Sequence, residues 1–302
     1  MLQALLGLTL SACTTTPEVM PNAATAVSRI DKAAPKPVFE VRPASRVSEH
    51  LFAIENPLTL AVEARWNGDS ALAYQHFYAA WLATSDSADV NIGLIDMALK
   101  TDQFEQAYTA ASQLDIDPET AKPKLLAAQV LAEIAVGKSS DPELRLNQAL
   151  ERSPNDPRLW NALGGFHDKQ GQPLRAQDCY LQALKTGGTK ASVVNNLGMS
   201  LLMSGDMRSA LSKFEQASEL EPNKKIYDNN RRLTLALLGQ YEKATVGLTD
   251  DFAADILNDA GFIAKSRQDI TQAAALFKAA IARSTSYHVR AHENLHELQS
   301  ES

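Results

Sequence analysis

Residues 160–222 read WNALGGFHDKQGQPLRAQDCYLQALKTGGTKASVVNNLGMSLLMSGDMRSALSKFEQASELEP, and the likeness of this stretch to itself decides the fold. A shift of 34 residues lays Gly205 on Gly171, Ala210 on Ala176 and Ala217 on Ala183. The interval continues outward to Gly137, Ala149, Gly239 and Ala244. A fixed period of this length marks stacked supersecondary units, none of which buries its apolar face alone. Within one unit, Trp160, Leu163 and Gly164 are followed by Ala176, Tyr180 and Ala183; the next offers Leu197, Gly198, Ala210, Phe214, Ala217 and Pro222. Separations of three and four residues place these groups on helix faces. Gly164 and Gly198 fall on the first helix of each hairpin, where a side chain would hold the second helix off, and Ala176 and Ala210 are read as the small residues opposite. Tyr180 and Phe214 are read as wedges between hairpins, Gly171 and Gly205 as turn residues, and Pro154 and Pro222 as stops for second helices.

Period and signature together resemble the tetratricopeptide repeat. The register extends with weaker matches to Gly68, Ala73, Phe77 and Ala80, then to Leu94, Phe104 and Ala107, and at the other end to Gly261, Ala273, Phe277 and Ala280. Pro142 stands where a small helical residue belongs, so the second helix of its unit should start late. The unit from 225 keeps Gly239 and Ala244 and then loses its second-helix signature around Thr245 to Asp251. The expected fold is all-α, a right-handed superhelical solenoid of about seven hairpins with a C-terminal capping helix. Its units lie near 54–87, 88–121, 123–156, 157–190, 191–224, 225–253 and 254–287, with the cap at 288–302, within a solenoid spanning 49–302. Such an array presents a concave groove as its binding surface.

The 302 residues are 45% hydrophobic and 22% charged, which excludes wholesale disorder and a multi-span membrane class. A net charge of -7 lacks the footprint of a nucleic-acid binder. Only two cysteines, Cys13 and Cys179, rule out a disulfide framework or a multi-cysteine metal site. Cys179 falls in a well-formed second helix as a packed thiol, and no P-loop, G-x-S-x-G or paired dinucleotide-binding glycines occur. No cofactor, small-molecule substrate or catalytic residue is expected.

Residues 1–12 form a short apolar segment that ends in small residues, the pattern of a secretory signal without its basic start. Leu10-Ser11-Ala12-Cys13 resembles the lipobox of bacterial lipoproteins, which implies cleavage before Cys13 and a covalent lipid on its thiol. Thr14, in place of an aspartate, implies by the same resemblance delivery to the periplasmic face of the outer membrane. Residues 13–48, rich in Thr, Ala and Pro and without sustained periodicity, read as the lipidated cysteine with a flexible tether.

Position five of four consecutive units holds Asn161, Asn195, Asn229 and Asn258, with Asn196 and Asn230 beside two of them. A column of carboxamides can bond the backbone of a partner peptide without demanding particular side chains. Equally, asparagine is tolerated at helix starts as a local cap. Met199, Leu202, Met203, Leu233 and Leu237 share the face and read either as an apolar groove or as interior packing. Arg231 and Arg232 offer charges to an acidic partner end. One motif points elsewhere: His292-Glu293-x-x-His296 satisfies the zinc-peptidase signature, in which two histidines hold the metal and the glutamate activates water. Six residues follow it, no strand-rich domain surrounds it, and a solvated helix face accounts for it as well.

A lipobox, a tether and a repeat array together resemble the TadD family of Flp (Tad) pilus-assembly lipoproteins. The likeness is carried by Val194-Asn195-Asn196-Leu197-Gly198, Leu201 to Gly205, Asn229-Asn230 to Gly239, and Ser286-Tyr287-His288 with Ala291 and Asn294-Leu295. The resemblance implies a non-enzymatic, pilotin-like scaffold in the periplasm that holds a secretin or another pilus component in its groove. Adaptors of other envelope machines, serving a type IV pilus secretin, barrel assembly or peptidoglycan synthesis, share this outline.

Overall fold

The computed structural model describes residues 57–300 apart from 115, 118 and 188. The signal, lipidation and tether expectations at residues 1–48, including Leu10, Ser11, Ala12 and Cys13, lie outside the described residues. Every regular element among the described residues is a helix, and the helices fall into pairs. They are α1 (Pro57–Trp66) with α2 (Ser70–Ala83), α3 (Ala88–Lys100) with α4 (Phe104–Ser112), α5 (Pro123–Ala135) with α6 (Pro142–Arg152), and α7 (Pro157–Lys169) with α8 (Pro173–Gly187). Then come α9 (Ala191–Ser204) with α10 (Met207–Leu220), α11 (Lys225–Leu237) with α12 (Tyr241–Thr245), α13 (Asp250–Ser266) with α14 (Ile270–Arg283), and a last helix α15 (Val289–Ser300). Seven hairpins and a final single helix are what the repeat register expects. No described helix is long and apolar enough to cross a membrane.

The turns inside the hairpins explain why the period is legible. Each carries one residue with positive φ: Gly68, Asp102, Gly137, Gly171, Gly205, Gly239 and Gln268. The left-handed conformation costs an L-residue about 1–2 kcal/mol and glycine almost nothing, which is why five of the seven are glycine. The second helices then start on a cap. The carboxylates of Asp69, Asp206 and Asp269 accept from the amides of Leu72, Ser209 and Gln272 at 3.0, 3.1 and 3.0 Å. In the third hairpin Asp141 caps and Pro142 is the first helical residue, so α6 begins five residues past its turn glycine, late as expected. Before Pro154 and Pro222, Ser153 (φ -135°, ψ 64°) and Glu221 (φ -136°, ψ 78°) leave the helical region and end α6 and α10.

The described helices form two compact units, residues 57–162 and 163–300, with the boundary inside α7. In the first, Phe77 is buried among small residues, with Ala61, Ala64, Ala73, Ala98, Ala107 and Ala128 in one cluster. In the second, Phe214 and Phe277 anchor a cluster that runs from Met199 to Leu298. Successive first helices stack, α9 on α11, α11 on α13 and α13 on α15, while α8 and α10 pack against the following first helix.

One correction concerns the glycines of the first helices. A Cβ on Gly164 would stand 2.6 Å from the Tyr180 ring, one on Gly198 2.7 Å from Phe214, and one on Gly261 2.6 Å from Phe277. The nearest neighbour of the glycine is therefore the aromatic ring of its own hairpin, and not the fully buried Ala176 or Ala210 that the sequence set opposite it. Tyr180 and Phe214 are accordingly seated inside their own hairpins. Trp160 is half-buried and donates its indole N–H to the Pro154 carbonyl at 2.8 Å.

Gly198→Ala should destabilise the fold by about 1–3 kcal/mol, because the added methyl overpacks against Phe214. Gly165→Ala, whose methyl would find only the Tyr180 hydroxyl at 3.8 Å, should instead gain up to about 1 kcal/mol from helix propensity. Urea denaturation of the two variants side by side checks both signs.

Candidate functional site

The asparagine column is largely a set of rungs between hairpins. Asn195 of α9 and Asn230 of α11 are both 3% exposed, and the Asn230 Nδ2 donates to the Asn195 Oδ1 at 2.7 Å. Asn294 of α15 donates in the same way to Asn258 of α13 at 2.9 Å. A buried amide needs such a partner, and stacked first helices supply one at matching heights. On the same helices Met199, Leu202, Leu233 and Leu237 belong to the core. These seven positions, Asn195, Asn230, Asn258, Met199, Leu202, Leu233 and Leu237, therefore do not line an open groove. The stripe that the sequence presents as a surface is closed by the next first helix. Asn161 in one unit, and Asn196, Met203 and Asn229 in the other, remain partly exposed.

Arg231 and Arg232 are also committed. Both grip Asp228, at 2.6 Å each, and these contacts hold its carboxyl below the usual range although burial pushes it up. Arg232 further donates to the carbonyls of Ala244 and Val246 at 2.9 Å, where α12 ends. A guanidinium at a helix C-terminus satisfies carbonyls that have no partner within the helix.

The histidine motif resolves into anchoring. His288 precedes α15 as its cap: its Nδ1 accepts from the Ala291 amide at 3.1 Å, which leaves the proton on Nε2, 3.3 Å from Asp255. Arg290 bonds Asp255 and lies 3.6 Å from Asp259, while Lys265 pairs with Glu297 at 3.1 Å. Asp251 accepts from the hydroxyls of Ser284 and Thr285 at 3.1 and 3.0 Å. One face of α13 thus holds the tail of the chain by a row of polar contacts. His292 stacks on Tyr287 with ring centroids 4.3 Å apart, and Glu293 and His296 are exposed. Among the described residues no three His, Cys, Asp or Glu side chains gather to hold a metal ion, and none of them joins His292 and His296 as the third ligand of the zinc motif.

A further polar centre escaped the sequence reading. Asp168 of α7, 4% exposed, accepts from the Tyr180 hydroxyl of α8 and the Ser200 hydroxyl of α9, each at 2.8 Å. Ser200 also lies 2.9 Å from the Pro173 carbonyl. Burial pushes the Asp168 carboxyl up to about 6, against the pull of the two hydroxyls. The twelve-residue separation of Asp168 and Tyr180 is the spacing that brings two helices of one hairpin together, and it was the available signal.

No protein-family model matches the chain, and no curated protein sequence matches it. Solved structures do. The APC/C hetero-tetramer Cut9–Hcn1 is similar with a TM-score of 0.55 at 13% identity, over 85% of this chain and 52% of that one. PilF of Pseudomonas aeruginosa is similar at 0.49 with 22% identity, over 71% and 97%. A thermophilic tetratricopeptide-repeat protein of Thermus thermophilus is similar at 0.48 with 19% identity, over 60% and 97%. The fold is all-α and of the tetratricopeptide-repeat type, an array of helical hairpins.

Two outcomes follow for the polar rungs. Asn230→Ala leaves the buried Asn195 oxygen unpaired and should cost about 1–3 kcal/mol. Asp168 has an ordinary value of 3.8 and a folded value near 6, so between those pH values the native state holds more protons than the unfolded chain. Stability should therefore fall as pH rises from about 4 to 6, by up to about 3 kcal/mol from this group. Asp259, raised to about 6 by burial, acts in the same direction. The lowered Asp206, Asp228 and Asp251 act oppositely and only below about pH 4. Urea melts at intervals from pH 4 to 7 should show a shallower slope for Asp168→Asn.

Proposed function

We propose that the chain is a non-enzymatic scaffold of the bacterial envelope, tethered to the outer membrane by a lipid on Cys13, that holds a protein component of a pilus-assembly machine. The hairpin array carries the reading. Stacked helical hairpins of this kind generally present a surface suited to gripping another chain. The lipobox and tether in the sequence support the membrane address. The likeness to TadD of Val194 to Gly198, Leu201 to Gly205, Asn229 to Gly239, and Ser286 to His288 with Ala291 and Asn294-Leu295 supports a secretin, or another part of the Flp machine, as the partner. In this reading Asn196, Met203 and Asn229, the partly exposed members of the expected surface between 163 and 300, meet the partner. The buried members fix the shape that presents them.

Affinity capture from crosslinked envelopes, read by mass spectrometry, tests this with the wild-type chain, an Asn229→Ala/Met203→Ala variant and a Cys13→Ser variant. The expected result is a secretin with other pilus proteins on the wild-type bait, depleted on the double variant, and a Cys13→Ser chain released from the membrane fraction. Recovery of the same non-pilus proteins on all baits would overturn the pilus assignment.

A further inference from the structure

The last helix is held differently from the first helices before it. α9, α11 and α13 bury nine, seven and nine residues, and α15 buries two, Ala291 and Leu298. Leu295 adds a partly buried contact, while Val289, Glu293, His296 and Gln299 are exposed. What ties α15 down is polar and runs in order along its length. Arg290 meets Asp255 and Asp259 of α13, Asn294 meets Asn258, and Glu297 meets Lys265. His288 adds its contact with Asp255 just before the helix begins. Cation to carboxylate, amide to amide and carboxylate to cation follow one another along both helices, so the seat on α13 accepts a helix of this pattern and fixes its register.

The ion pairs stand partly in solvent, with the side chains of Asp255 and Glu297 41% and 58% exposed. Pairs of that kind contribute little each and are screened by salt. Weak polar ties with little apolar burial behind them mark a segment that opens locally while the remainder stays folded. The connection from α14 is five residues, Ser284 to His288, with Tyr287 70% exposed. Asp251 holds it folded back, accepting from the Ser284 hydroxyl and from the amide and hydroxyl of Thr285. Extended, five residues reach about 17 Å, enough to carry the helix away from its own hairpin.

The helix that satisfies every one of these contacts is α15 itself. We propose that two copies of this chain exchange α15, each lending its last helix to the α13–α14 seat of the other. The contacts within the seat are the same in the closed and the exchanged form, so the two differ in the linker and in chain concentration. Reciprocal exchange about a two-fold axis leaves no seat empty and no helix spare. The proposal goes beyond the scaffold reading and does not depend on it.

Two full-length chains test it, one with Lys265→Cys and one with Glu297→Cys, beside a third that carries both substitutions. His288, Arg290 and Asn294 stay in place in all three. The first two are mixed, passed through about 1 M salt, where the screening length is about 3 Å, returned to about 0.15 M and treated with a short bis-maleimide. The expected product is a link from position 265 of one chain to position 297 of the other, mapped by mass spectrometry and at least threefold more abundant than in a mixture kept at low salt. The doubly substituted chain, linked within itself before the salt step, should stay monomeric by light scattering. Circular-dichroism melts establish that all three are folded. Absence of the link between chains while the doubly substituted chain closes on itself overturns the proposal, as does an equal yield with and without the salt step. Dimers formed equally by the internally linked chain assign association to another surface, and a link from position 265 to a different protein in envelope extracts assigns the seat to that protein; either outcome overturns the exchange.

Discussion

How closely the two helices of a hairpin approach is set by one pair of positions, the eighth of the unit on the first helix and the twenty-fourth on the second. In units 157, 191 and 254 that pair is Gly164 with Tyr180, Gly198 with Phe214, and Gly261 with Phe277, each ring seated where a Cβ would lie below 3 Å. Elsewhere the pair trades volume between its members. Ala61 stands in register with Phe77, Ile95 with Ala111, and Val130 with Leu146, all buried. A core packed to crystal density tolerates exchange of volume between facing positions better than gain or loss at one of them. The glycine-aromatic form is one solution among several within a single chain.

The sixth unit breaks the rule, and much of its local structure follows. Arg232 occupies the glycine position of α11. No ring can sit on a guanidinium stem that reaches towards the second helix, and Arg232 instead donates to Ala244 and Val246 at the end of α12. Asp228 beside it pairs the charge of the mostly buried arginine, which would be costly to hold unpaired. Thr245 adds a hydroxyl bond back to Tyr241, Gly247 takes the left-handed backbone, and the chain turns into α13 early. The arginine at the closest contact thus goes with a second helix of five residues in place of fourteen.

The period, the hairpin count, the late start of α6 and the loss of α12 were all legible in the sequence, because each depends on residues within one unit. Gly137, Gly171, Gly205 and Gly239 advertise left-handed turns, and even Asp102 and Gln268 could be placed by spacing. What was not legible depends on the neighbouring hairpin. Asn195 and Asn229 look alike in the sequence, being the fifth residue of their units, yet Asn195 is buried and Asn229 is not. The difference is set by Asn230, one residue along on the next first helix, which turns its amide to Asn195. Met199, Leu202 and Leu233 likewise read as groove or core until the stacking distance is known. Nothing in the sequence pairs His288 or Arg290 with α13, and only the approach of that helix makes Asp255 their partner.

Buried polar rungs have a consequence for how the hairpins register. Two helix faces lined by alanine and leucine can slide by one turn with little loss of buried apolar area, because hydrophobic contact is not directional. An Asn–Asn bond cannot slide: a shift of one turn, about 5.4 Å, strands both amides in the interior at about 1–3 kcal/mol each. The Asn195–Asn230 rung fixes α9 against α11, and the Asn258–Asn294 rung fixes α13 against α15, on either side of the shortened hairpin. Asp168 adds a third tie, from α7 to α8 and α9. The break in the period at α12 therefore stays local. Stacking is held in register before it and after it by hydrogen bonds.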